Sequence, residues 1–148
     1  MSHKSQQNEY DKDFYAWSLH NAALIREGKL SEVDLEHVAE EIEEMGKNNR
    51  RELISRLAVL LAHLLKWKFQ PERRGNSWKY TIKRQRFDVR DILKESPSLK
   101  HELDKRLDYA YEKALITAIE ETGFSQSAFP ETSPFSLAEA LNENFFPE

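Results

Sequence analysis

The stretch from Leu53 to Phe69 constrains this chain more than any other. Leu53, Leu57, Leu60, Leu61 and Leu64 fall on one face of a helix, and Ile54, Ala58, Leu61, Leu65 and Phe69 fall on a second. A helix that is apolar on two faces must be covered from two sides, which puts it in the middle of a helical assembly. Its longest unbroken apolar run, Leu57 to Ala62, is far short of the roughly 20 residues that a membrane span needs. Pro71 ends it, because proline disfavours a helical conformation at the residue before it.

Helical spacing recurs along the chain. Phe14, Trp17, Leu24 and Ile25 line one side of a helix starting near Tyr10, and Gly28 suits its C-terminal end. Leu35, Val38, Ala39, Ile42 and Met45 make a second apolar stripe, after which Gly46 marks a break or a kink. Ser77 can cap a third helix, on which Trp78, Ile82, Val89, Ile92 and Leu93 share a face. Ser96 and Pro97 read as the cap and first position of a helix that passes through Leu99, Leu103, Leu107, Ala110, Ala114 and Ala118 to Gly123. The segment 124–148 then brings three prolines and five phenylalanines, with a capping box at Ser136 and Glu139. The expectation is an all-α fold: an up-and-down bundle of four to five helices with the Pro/Phe-rich C-terminal tail packed on it. Residues 1–9 are expected to be frayed, and 10–148 to form one helical domain, a size that suits 148 residues.

Charge is distributed unevenly. The chain carries a net −4, yet the segment from Lys66 to Lys94 holds ten Lys/Arg against three Asp/Glu. A basic block in an acidic protein points to a directed surface. There is no cysteine, which removes disulfides, thiolate zinc sites and a cysteine nucleophile. The polar N-terminal stretch lacks the apolar core of a signal peptide, so the expected location is cytoplasmic, with no membrane partner.

Several blocks of text carry a family resemblance. They are Tyr10-Asp11 with Trp17, the segment DLEHVAEEIEEMGK from Asp34 to Lys47, and HLLKWKFQPERRGNSWKYTIKRQR from His63 to Arg86. Pro97 to Leu99, Glu121 to Gly123 and the Pro/Phe tail add to it. The chain from about residue 10 to 148 resembles a bacterial family known only as "domain of unknown function 29". The resemblance implies an all-helical domain of prokaryotic origin. It implies no activity, so no catalytic residue is carried over.

Three constellations could bear function. On a wheel of about 100° per residue, Lys79, Lys83, Arg86, Arg90 and Lys94 fall within an arc of roughly 80°, with Arg73 and Arg74 nearby. Such a stripe suits an acidic protein, a second copy of the chain or a polyanion; nucleic acid is less favoured because the whole chain is acidic. The structural alternative is a solvated face, or one paired with the chain's own acidic helix. Second, Glu40, Glu41 and Glu44 form E-E-x-x-E, a spacing that suits Mg²⁺ in a nucleotide or phosphate-ester hydrolase. The second acidic motif such enzymes carry is missing, since Glu72 is followed three residues later by Gly75 and Asp88-x-x-Asp91 lies too far downstream. A solvated acidic face is the structural alternative, and no cofactor is expected outside the hydrolase reading. Third, His63 lies one turn from Trp67 on the most apolar helix, either as a base or ligand or as a core histidine with a backbone or side-chain partner. The residues favour a non-enzymatic binding module using the basic stripe.

Overall fold

The computed structural model describes residues 9–148, and among them the regular elements are helices without a strand. We label them α1 (Phe14–Arg26), α2 (Leu35–Phe69), α3 (Asn76–Glu95), α4 (Leu99–Thr122) and α5 (Leu137–Leu141). Short 3-10 turns at Leu30–Glu32, Pro71–Arg73 and Gln126–Ala128 lie in the connections. No helix among the described residues is long and apolar enough to cross a membrane. The fraying expected at residues 1–9 lies outside the described residues except for Glu9, whose carbonyl accepts from the Asp13 N–H at 2.7 Å. The chain divides into two compact units, residues 1–48 and 49–148.

In the first unit α1 starts at Phe14, and residues 9–12, Tyr10 included, are also helical, with Asp13 between the two stretches. The Asp13 carboxylate accepts from the Ala16 N–H at 3.1 Å and so caps it. Gly28 follows the helix at φ 75°, a conformation that side chains resist. Only part of the expected apolar side is covered: Trp17 and Leu24 are buried with Val33, whereas Phe14 and Ile25 are exposed. The buried Asn21 amide donates to Trp17 O at 3.0 Å and accepts from the Asp34 N–H at 2.8 Å, which ties α1 to the start of α2. Gly46 does not break α2, whose helical backbone runs through it.

In the second unit both faces of the Leu53–Phe69 stretch are covered. Leu53, Leu57, Leu60, Leu61, Leu64 and Leu65 are fully buried. They form one core with Ile82 and Val89 of α3, with Leu103, Ala110, Tyr111 and Ala114 of α4, and with Phe129, Phe135 and Ala140 beyond. α3 begins at Asn76 behind Gly75, and α4 at Leu99 behind Ser98, each within two residues of the sequence reading. Gly123 closes α4 at φ 73°. The Ser136–Glu139 capping box is formed in both directions, at 3.0 and 3.1 Å. The Tyr111 hydroxyl donates to Pro130 O at 2.6 Å, and Phe129 meets Phe69 edge-on at 5.4 Å.

Candidate functional site

The side of α3 that faces the core is set by Ile82 and Val89, both fully buried. At about 100° per residue, Tyr80, Arg84 and Phe87 project from the opposite side. Tyr80 is 61% and Phe87 66% exposed. Their spacing of seven residues puts them two turns, about 10.5 Å, apart. Cations flank them: Lys79, Lys83, Arg84 and Lys94 are exposed, and among the described residues none of the four has an ion-pair partner. The Lys83 ammonium lies 5.6 Å from the Tyr80 ring centre. A groove of about 600 Å³ beside this surface is lined by Phe87, Leu93, Lys94, Lys100 and Leu141, among others.

The expected stripe does not survive intact. Arg86 is fully buried. It stands four residues after Ile82 and three before Val89, in the middle of the buried face. Its Nε donates to Ala140 O and its Nη2 to Phe145 O, both at 2.7 Å. Its guanidinium also lies 5.4 Å from the Phe146 ring centre. Burial, and then the nearby charge of Arg90, push its pKa down to about 10. Arg74 behaves similarly, donating to Trp67 O at 2.6 Å and to Pro147 O at 3.2 Å. Arg90 is half exposed and pairs with Glu143 at 3.1 Å. Three of the seven predicted cations therefore fasten the C-terminal segment, while Lys79, Lys83, Lys94 and Arg73 face outward. Sequence reasoning missed Tyr80, Arg84 and Phe87, although their positions opposite Ile82 and Val89 were a readable signal.

The acidic constellation lies in the first unit. Glu40 is exposed and Glu44 half-buried. Glu41 accepts a hydrogen bond from the Tyr10 hydroxyl, which together with burial and the neighbouring carboxylates raises the phenol to about 12. Successive helical residues diverge by about 100°, and Glu41 is turned toward Tyr10. Among the described residues no three His, Asp or Glu side chains are gathered to hold a metal. Asp34 and His37 do meet: the carboxylate receives Trp17 Nε1–H at 3.0 Å and His37 Nδ1–H at 2.7 Å. Tyr10 stacks on the His37 ring at 3.9 Å and 12°. The bond to Asp34 raises the His37 pKa, against an opposing effect of burial. Burial works to raise the Asp34 pKa, but the bonds from His37 and Trp17 outweigh it and lower the carboxyl.

A family model described as "Domain of unknown function DUF29" matches residues 9–146. The chain belongs to the DUF29 family. No curated protein matches it, and no solved structure does.

DUF29 membership supplies no reaction, so the remaining constellation rests on its geometry. In this DUF29 domain His63 is half-buried, with Nδ1 2.9 Å from Val59 O. Burial lowers its pKa, so the ring is neutral and Nδ1–H donates to that carbonyl. This is the backbone-bonded arrangement weighed against a catalytic role. One turn on, Lys66 is only 6% exposed. It is paired with Glu121 and lies 5.1 Å from the Trp78 ring centre. That buried ammonium joins α2 to α3 and α4.

Proposed function

We propose that this DUF29 domain is a non-enzymatic binding module that takes an acidic protein partner on the outer face of α3. One observation carries it: Tyr80 and Phe87 stand exposed between Lys83, Arg84 and Lys94, and these cations have no counter-charge of their own among the described residues. Exposed aromatics anchor interfaces, and cations around them select partners by charge. Asp91 lies on the same exposed face, and the chain is net acidic, which favours a mixed protein surface over a uniform polyanion. No cofactor is required. An up-and-down arrangement of the second unit's helices and a cytoplasmic setting belong to the same proposal.

Retention on immobilised poly-glutamate and on heparin, at stepped salt, tests it. The domain should bind poly-glutamate at low salt. Lys83→Glu with Arg84→Glu should abolish retention, and Phe87→Ser should weaken it at unchanged charge. Unchanged retention in the double variant sinks the proposal. Tight heparin binding that is indifferent to Phe87 would replace the acidic protein with a polyanion.

A further inference from the structure

Beside α3 a hollow of about 360 Å³ is lined by Lys83, Arg86, Phe87, Arg90, Glu143 and Asn144. Three of these residues are cationic and one is anionic. Arg86 is the deepest, at 0% exposure. Its Nε and Nη2 are spent on the carbonyls of Ala140 and Phe145, but its Nη1 has no acceptor among the described residues. Buried charges are ordinarily paired, and buried N–H groups ordinarily have an acceptor. Here the only carboxylate in the lining, Glu143, pairs with Arg90 at 3.1 Å and is 64% exposed. It sits among three cations and does not reach Nη1. Burial first, and then Arg90, depress the Arg86 pKa, with Glu143 opposing them.

We propose that this hollow binds a phosphate-sized oxyanion, with Lys83 and Arg90 at the open side, Arg86 Nη1 at the floor, and Glu143 as the internal group that the ligand displaces. The ligand is inorganic phosphate or the phosphoryl group of a phosphomonoester. A tetrahedral dianion offers acceptors in several directions to three separate donors and matches the excess of cations. A carboxylate is already present in Glu143 and leaves Nη1 unmet. Because Nη1 is closed to solvent, entry requires the exposed turn at residues 143–144 to lift. The site does not rest on the outer-face proposal: Lys83 and Phe87 border both, and Arg84 belongs to the outer face alone.

The test is the unfolding midpoint of the full chain, titrated with inorganic phosphate, glycerol phosphate or chloride at matched ionic strength. A ligand that binds only the folded state raises the midpoint with the logarithm of its concentration once that exceeds Kd. Phosphate should do so and chloride should not. Glycerol phosphate acting at lower concentration than phosphate identifies the ester as the source, and the reverse order identifies the free ion. Arg90→Gln should weaken phosphate roughly tenfold, the loss of one charged hydrogen bond. Glu143→Gln should tighten it, because a competitor is removed. That gain is one a merely structural Glu143 would not give. Arg84→Glu should leave phosphate binding intact while removing poly-glutamate retention, so the two proposals fail separately. No rise of the midpoint with phosphate beyond that with chloride, an equal effect in Arg90→Gln, or weaker binding in Glu143→Gln overturns the site.

Discussion

Replacing Arg86 with methionine should be among the most damaging single changes to the second unit. The guanidinium is fully buried and supplies the bonds to Ala140 O and Phe145 O. Each hydrogen bond from a charged donor contributes about 1.5–3 kcal/mol, so two give roughly 3–6 kcal/mol. Removing a buried charge with an unmet N–H returns part of that, since buried ions carry a desolvation cost of several kcal/mol. Methionine also keeps most of the aliphatic volume. The expected net loss is about 3 kcal/mol. For a unit of about this size, each kcal/mol shifts the melting temperature by roughly 4–8 °C, so the fall should be roughly 12–24 °C. Arg84→Met is the matched control: it has the same charge change, lies two residues away on the same helix, and is exposed. It should fall within about 0.5 kcal/mol of the parent. Urea unfolding of both variants gives the comparison, and amide exchange over residues 136–146 shows whether the tail has come away. If Arg86→Met were no more destabilising than Arg84→Met, the tail-fastening role of Arg86 would be wrong.

Other consequences can be measured on the same protein. The Asp34–His37 pair makes the first unit pH-sensitive. The raised His37 pKa gives stability that is complete below its ordinary 6.5 and is lost as pH rises through the folded value. The lowered Asp34 pKa gives stability that is complete above its ordinary 3.8 and is lost as pH falls through the folded value. Amide exchange in residues 13–45 should therefore be slowest, after correction for intrinsic rates, between about 3.8 and 6.5, and His37→Gln should flatten the profile. At Lys66, removing the partner should hurt more than removing the lysine: Glu121→Gln should cost about 1–2 kcal/mol, discounted for the half exposure of Glu121, and Lys66→Met less than about 1 kcal/mol in urea unfolding. The two glycines should respond with opposite signs. Gly46→Ala, in the helix interior with nothing within 4 Å of the new Cβ, should stabilise by about 0.5–1 kcal/mol. Gly123→Ala, at φ 73°, should cost roughly 1 kcal/mol.

The helices were legible because burial leaves a period in the text. Leu53 to Leu65 repeat at three and four residues, and those leucines are the most buried in the chain. Pro71, Gly123 and the Ser136–Glu139 box marked boundaries because each acts through local backbone geometry. Gly46 left break and kink both open for the converse reason: a single glycine weakens a helix without ending it. Arg86 was misplaced because a wheel built on residue type assigns every arginine to water. Its angle, within about 60° of both Ile82 and Val89, already said otherwise, but the carbonyls that accept from it lie 54 and 59 residues downstream. Tyr80 and Phe87 went unnoticed for the mirror reason, as aromatic letters at positions facing away from the core. In the first unit the stripe of Leu35, Ile42 and Met45 predicted burial that those residues do not have.

Two of the three arginines that hold the C-terminal segment, Arg74 and Arg86, grip it by its main chain, while Arg90 takes the Glu143 side chain. Arg74 and Arg86 bond to the carbonyls of Pro147, Ala140 and Phe145, groups that every amino acid carries. The fastening therefore recognises the route of the segment and is blind to the identity of its side chains, except where a ring also fills a space, as Phe135 does. Across descendants of this chain, Asn144, whose side chain makes no bond to either arginine, is free to drift while the two arginines are not. A pair of arginines on one side, facing a poorly kept stretch on the other, is the pattern such a grip would leave in an alignment.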